Sequence, residues 1–414
     1  MKPRACLIID PFVSPKILSQ ALLDEKIVPI AIITDTWSDP QWKMDRMKEA
    51  YFEEIFECFT NRQITELAKK LKKYEVVACI YGREGKSIYK ADFITHTLFP
   101  QFANPGQSSW RTDKFAMQEI CRNYGLHTVR QLRIDSEHSL IAQTELITSL
   151  LPVVVKPSQA SGSLGVAICN TLDEVTQAIK FLLGKKFATG IIDEVIIQKQ
   201  LHGTEYFIDT VSLNQQHTIC GIFRYKKVLF GNTWVYHWTE SVDHQTKEAK
   251  SCIEYVTNVL DAVQMHHGLA HTELFLTNQG PCLVEINPRI SGSSGFINKM
   301  AKYLYGMNQA ECFAKALTSN KKLEPLAKPL NVHALILSLQ NWKPRAIKNF
   351  NAALLQNFLS YREHIVLKKA GSYLDTPKSL HDTVAYVLLV NPSLEKLHQD
   401  AEKIFTLEEN ECLF

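Results

Sequence analysis

Two acidic residues, an amide and a guanidinium recur at a spacing that suits metal and phosphate chemistry. The stretch PCLVEINPRISGSSG, Pro281 to Gly295, carries Glu285, Asn287 and Arg289 at alternate positions where an apolar run ends. Upstream, AHTELFL sets His271 and Glu273 at the same two-residue spacing. The segment TNQGP between the two runs is a turn signal, so Ala270–Leu276 and Cys282–Ile286 are expected to pair as an antiparallel hairpin. A turn centred on Gln279 puts Glu273 opposite Glu285. Alternation then keeps Asn287 and, while the chain stays extended, Arg289 on that face, with His271 on the face of Glu273. Carboxylates on a covered face need a cation. Hard oxygen donors in this number suit Mg²⁺ or Mn²⁺ with phosphate oxygens completing the shell, and Arg289 can clamp a phosphoryl or carboxylate oxygen. Two glutamates alone are more often a solvated hairpin face. The Asn-Pro-Arg and Gly/Ser continuation weighs against that reading here.

Three other segments carry parts of a phosphate or nucleotide site. VVVKPSQASGSLGV delivers Lys156 at the end of an apolar strand and follows it with a small-residue loop, whose backbone N–H groups can approach phosphate oxygens. It is not a Walker loop, and a plain turn between strands is the competing reading. In RTDKFAMQEI, Asp113 starts or caps a helix and Lys114 sits in its first turn, where a cation opposes the helix dipole unless an anion is bound. In IIQKQLHGTEYFID an extended run turns at a glycine and restarts as a strand; its backbone can meet a base edge, and Glu205 can accept from ribose hydroxyls.

These groups have to be held by something, and the chain supplies alternating elements for the purpose. ACLII, VPIAII and VVACIY are buried-type strands separated by helical patterns, including one from about Pro15 to Asp24, which implies a parallel sheet covered on both faces. The ends of these strands, at Asp10 and Tyr81-Gly82-Arg83-Glu84, should open on one crevice. From Leu151 the pattern changes to strands and hairpins, interrupted by helices at about Thr171–Leu183 and Thr246–Met265, and a polar Pro-containing segment, Ser319–Leu330, precedes a small α+β tail. Of 414 residues, 45% are hydrophobic and 21% charged, which is a globular balance with room for several domains. The net charge of +3 is spread along the chain, so neither nucleic acid nor a membrane surface is the expected partner. Ten cysteines occur singly without metal-type spacing, and no run approaches the length of a spanning helix, so a reducing, cytoplasmic setting is expected.

Taken in order, YGREGKSIYKADFITHTL, RTDKFAMQEICRNYGL, VVVKPSQASGSLGV, IIQKQLHGTEYFIDTVS and GLAHTELFLTNQGPCLVEINPRISGS resemble the ATP-grasp superfamily, and within it the carboxylate–amine ligases of the L-amino-acid ligase type. The resemblance spans roughly Val76 to Asn298. It implies an α/β and α+β multidomain fold: an N-terminal parallel-sheet domain over residues 1–110, a small lobe with the phosphate loop over 111–192, a large lobe with the metal site over 193–320, and a C-terminal α+β subdomain over 321–414. It assigns Lys114 and Lys156 to the phosphates of ATP. Ser161, Gly162, Ser163 and Gly165 become the loop that closes on them, Gln198, Lys199 and Leu201 the adenine-holding segment, and Glu205 the ribose ligand. Glu273, Glu285 and Asn287 become Mg²⁺ ligands, and Arg289 the group that stabilises the transferred phosphoryl. The chain departs from the pattern at Gln198 and Lys199, where acidic residues are usual, and in the Ile-Ser-Gly-Ser-Ser tail, where glycine pairs are more frequent.

The implied reaction is ATP-dependent joining of a small-molecule carboxylate, of the amino-acid kind, to an amine through an acyl phosphate, with release of ADP and phosphate. Many members of the family are homodimers. For substrate contacts the sequence offers Glu84 toward an amino group, Arg224 or Arg289 toward a carboxylate, and His271 as a hydrogen-bond partner of a metal-bound carboxylate. Trp234, Tyr236, His237 and Trp238 are candidates for a side-chain pocket or for cross-strand packing alone. The competing readings are a carboxylase-type enzyme using bicarbonate or another acyl acceptor, and an ATP-binding regulatory protein without turnover.

Overall fold

The computed structural model describes residues 1–414 except 160–164, 188–189, 232, 320–322 and 327–329. Strands β1 (Arg4–Ile9), β2 (Val28–Ile33), β3 (Glu54–Glu57) and β4 (Glu75–Tyr81) form a parallel sheet in the order β3-β2-β1-β4. Helices α1 (Pro15–Asp24), α2 (Pro40–Met47) and α3 (Asn61–Leu71) fill the crossovers, and α4 (Ser87–Leu98) follows β4. Coverage on both faces explains why β1 reads as an unbroken apolar run: Ala5 to Ile9 are all buried. The strand ends meet in a crevice closed by the Asp10 carboxylate, which accepts from Thr34 N–H (2.7 Å), Thr34 Oγ1 (2.6 Å), Asp35 N–H (3.1 Å) and Ser87 Oγ (2.6 Å). Gly82 lets the backbones touch there, since a Cβ would stand 2.5 Å from Pro11 Cα and 2.6 Å from the Asp10 carbonyl oxygen.

Helix α5 (Lys114–Asn123) starts at Asp113, whose side chain accepts from Ala116 N–H. It leads to a four-stranded antiparallel sheet. Its elements run β5 (Gln131–Ile134), α6 (Glu137–Ala142), α7 (Thr144–Leu150), β6 (Val153–Pro157), β7 (Ala167–Cys169), α8 (Leu172–Leu182), a small hairpin β8 (Lys186–Phe187) with β9 (Gly190–Ile191), and β10 (Val195–Lys199). The strand order is β5-β10-β6-β7, and α8 buries Val175, Ile179 and Leu182 against Val153 and Val155.

The largest sheet has eight strands. Its elements run β11 (Thr204–Leu213), β12 (Gln216–Phe230), β13 (Thr233–Ser241), α9 (Lys247–Ala262), β14 (Gly268–Thr277), β15 (Gly280–Asn287), α10 (Phe296–Tyr305), α11 (Gln309–Thr318), β16 (His333–Leu339), a short pair β17 (Arg345–Ala346) and β19 (Tyr373–Leu374) flanking β18 (Tyr361–Val366), then β20 (Ala385–Asn391) and α12 (Leu394–Glu409). The order β15-β14-β11-β12-β13-β16-β20-β18 joins the C-terminal strands to the same sheet as the acidic hairpin. Helix α9 packs Val256, Val259 and Leu260 on one face, against Tyr206, Ile208 and Leu274. Helix α10 packs Phe296, Ile297 and Met300 on the other, against Phe207, Phe223 and Ile336. Among the described residues no helix is long and apolar enough to cross a membrane, and the ten cysteines are free, nine of them buried.

Candidate active site

The hairpin β14–β15 sets Glu273 opposite Glu285 and His271 opposite Asn287. The turn itself differs from the expected one. Thr277 pairs with Gly280, so the loop is Asn278-Gln279, and the register would bring Glu273 one residue short of Glu285 if it ran on unchanged. A bulge at Val284 restores it, since Leu274 pairs with Leu283 while Glu273 pairs with Glu285. Both carboxylates, together with Val284 and Phe275, line a cavity of about 790 Å³.

Two lysines reach this cavity from different elements. Lys114, in the first turn of α5, lies 2.7 Å from Glu285 Oε2. Lys156, near the end of β6, is 7% exposed, and no carboxylate stands within ion-pairing distance of it among the described residues. Burial, reinforced by the neighbouring Lys114 charge, lowers its ammonium to about 8 despite the glutamates nearby. A buried cation in that state calls for an anion. Gly165 closes the loop after β6, with φ of 72°; Ser161, Gly162 and Ser163 lie outside the described residues.

The segment joining β10 to β11 forms another wall, with Gln198, Lys199, Leu201 and Glu205 all on the cavity. The Gln198 and Lys199 side chains are turned to structural uses. Gln198 Nε2 donates to Gln131 Oε1 at 3.0 Å, and Lys199 Nζ to the Leu151 carbonyl at 2.9 Å. Glu205 is paired at 2.6 Å with Lys227, which the sequence reading passed over. Lys227 lies over the Tyr236 ring at 4.4 Å, and both line the cavity.

His271 supports Glu273. Its Nε2 is 3.1 Å from Glu273 Oε1 and its Nδ1 is 2.9 Å from Asp209 Oδ1, while Ser291 Oγ donates to the other oxygen of Asp209. Burial alone would lower this imidazole, but the flanking Asp209 and Glu273 carboxylates outweigh it and hold His271 at about 9. Asp209 is the second residue missed. It was legible in principle, because Glu205, Phe207 and Asp209 alternate on one face of β11, where Phe207 pairs with Glu273 and Asp209 with His271.

Beyond Asn287 the strand ends and Arg289 turns toward the crevice of the first sheet, where its Nε donates to Glu84 Oε2 at 2.6 Å. Burial would raise the Glu84 carboxyl, but the Arg289 guanidinium and a backbone N–H hold it down to about 2. Two expected substrate residues, 205 positions apart, therefore meet each other. Arg224 does not join them. It pairs across the sheet with Tyr206 on the α9 face, opposite to that of Phe207 and Glu273, and is bound 2.9 Å from Glu240, which lines the cavity with it. Of the aromatic cluster, Trp234, Tyr236 and Trp238 line the cavity, whereas His237 stacks on Phe405 with ring centroids 3.7 Å apart, a ring that Trp238 also packs against.

The donor set can be tested against a divalent cation. Among the described residues no three His, Cys, Asp or Glu converge in metal-binding geometry. Glu273 and Glu285 face each other, and Asn287 sits beside Glu285 with its Nδ2 donating at 3.2 Å, leaving its carbonyl oxygen as a further hard donor. Two carboxylates and an amide are what Mg²⁺ takes from a protein when phosphate and water supply the rest of its octahedron.

A model of the ATP-grasp domain matches residues 149–296. Dapdiamide A synthase of Enterobacter agglomerans is 28% identical over 234 residues, 56% of this chain and 54% of that protein. A D-alanine–D-alanine ligase of Flavobacterium psychrophilum is 26% identical over 160 residues, 35% of this chain and 45% of that one. The match thus spans about half the length of these relatives or less. Among solved structures, an L-amino acid ligase from Bacillus licheniformis superposes with a TM-score of 0.73 at 15% identity, covering 99% of this chain and 98% of that one. An ADP complex of N5-carboxyaminoimidazole ribonucleotide synthetase superposes with a TM-score of 0.69 at 15% identity and the same coverage.

Proposed function

Since residues 149–296 form an ATP-grasp domain within a chain that has the ATP-grasp fold, we propose that this protein is an ATP-dependent carboxylate–amine ligase. The observation that carries the reading is the gathering of Lys114, Lys156, Glu273 and Glu285 around one cavity, beside a smaller cavity that shares Lys114 and Glu285 with it and is lined by Asn287 and by Glu84, the partner of Arg289. Relatives named as a D-alanine–D-alanine ligase and an L-amino acid ligase support it.

In this reading Lys114 and Lys156 receive the phosphates of ATP, with Ser161, Gly162, Ser163 and Gly165 as the covering loop. Leu201 and the backbone about Gln198 and Lys199 meet the adenine, and Glu205 the ribose. Glu273, Glu285 and Asn287 would hold Mg²⁺, which would neutralise phosphate charge. Arg289 orients the substrate carboxylate beside the γ-phosphoryl, and Glu84 receives a substrate ammonium in exchange for Arg289. One carboxylate oxygen attacks the γ-phosphorus and ADP leaves. The amine then attacks the acyl carbon of the resulting acyl phosphate, phosphate departs and the amine proton passes to solvent. Fixed cations around the transferring group stabilise its charge without reorganising. Asp209 and His271 keep Glu273 oriented, a supporting role that does not touch the reacting atoms. The free cysteines fit a cytoplasmic setting.

The test is a screen of carboxylate and amine pairs for coupled ADP and phosphate release, with mass spectrometry of the product. Stimulation by a pair that yields an amide supports the reading; tight ATP binding with no stimulation by any pair overturns it.

A further inference from the structure

A second cavity, of about 590 Å³, lies between helix α4 and residues 157–159 and 191–194. A third, of about 30 Å³, shares Trp37, Lys86 and Gln159 with it and shares Lys114 and Glu285 with the main cavity. The small cavity is thus a narrow junction at Glu285 and Asn287: it adjoins a wide mouth on the first sheet's side at Trp37, Lys86 and Gln159, and the nucleotide cavity at the Lys114–Glu285 ion pair. The mouth is built from a helical stripe. Lys86, Tyr89, Lys90 and Phe93 follow one another at spacings of three, one and three on one side of α4, while Ile88, Ala91 and Ile94 are buried on the other. Tyr89 is 41% exposed and Phe93 47%, so two rings face open space where the cavity widens.

We propose that this mouth admits and binds the amine substrate, and that this substrate is an α-amino acid with a large apolar or aromatic side chain. The inference rests on the ligase reading above. With nucleotide in the main cavity, the junction offers an approach to Glu285 and Asn287 from the mouth. Its volume has room for about one water-sized group, so an amino group passes while a side chain stays outside. Lys86 is the cation common to junction and mouth, and it takes the carboxylate next to that leading amine. Trp37, Tyr89 and Phe93 take the side chain. Asp193 and Glu194 stand across the mouth and disfavour acidic side chains.

Calorimetric titration of L-phenylalanine, glycine and L-aspartate into the full chain loaded with ADP and Mg²⁺ tests this. L-Phenylalanine is expected to bind at least about tenfold more tightly than the other two. Phe93→Ala and Lys86→Gln are each expected to weaken it about tenfold while leaving ADP affinity within about twofold, which also shows that the variants are folded. Equal affinity for the three amino acids, or L-phenylalanine affinity unchanged in both variants, overturns the proposal. The two readings separate cleanly. L-Phenylalanine bound as expected with no ADP release in any pairing leaves the mouth standing and removes the ligase. Amide formation with wild-type kinetics in both variants does the reverse.

Discussion

Lys156 combines burial, a lowered ammonium at about 8 and the absence of an ion-paired carboxylate among the described residues. Below that pH it is protonated and ready for phosphate; above it, binding an anion requires taking up a proton. ADP affinity is expected to be level below about pH 7.5 and to fall by up to about tenfold per unit above pH ~8, and Lys156→Met is expected to be weaker throughout and to lose that slope. Titration calorimetry across the range measures it, and a wild-type profile level to pH ~9.5 contradicts the role. Glu285 carries a second expectation. Glu285→Gln keeps the side chain's volume and one of the two acceptor oxygens that meet Asn287 and Lys114 but removes the charge that a cation needs, so turnover is expected to fall on the order of a thousandfold with the melting temperature shifted by only a few degrees. Normal turnover in that variant removes Glu285 from the metal set.

The elements that place these groups were legible in proportion to how local their signals are. The hairpin's apolar runs, its turn residues and its alternation all lie within about twenty residues of one another, and they point to a hairpin that brings Glu273 near Glu285. The bulge at Val284 does not: Leu283, Val284 and Glu285 read as a plain strand, and only the ladder reveals the extra residue. Arg224 illustrates a different gap, because its face is fixed by pairing with Tyr206 rather than by the residues beside it. The glycine at the turn into β11 can be tested at this scale. Gly203 has φ of 145°, and a Cβ there would stand 2.1 Å from the Leu276 carbonyl oxygen. Gly203→Ala is expected to cost about 2 kcal/mol or more in denaturant unfolding and to weaken ADP binding by displacing Glu205. An unchanged denaturation midpoint contradicts this account of the turn.

At the scale of the molecule, the contact that defines the acceptor end, Arg289 with Glu84, joins the large sheet to the crevice of the first one across 205 residues, and no local pattern carries such a pairing. The C-terminal strands are similarly integrated. β16 pairs with β13, and Ile336 and Leu388 share a core with Phe207 and Phe296. Removing residues 331–414 is therefore expected to leave a chain without a cooperative thermal transition, and a truncated chain that melts cooperatively and binds ADP contradicts that dependence. In the proposed reaction the whole assembly phosphorylates a carboxylate before an amine displaces the phosphate. Oxygen transfer tests it most directly, using a carboxylate substrate labelled with ¹⁸O at both oxygens. One labelled oxygen is expected in each released phosphate, with the other retained in the amide; phosphate free of label while amide accumulates contradicts the account.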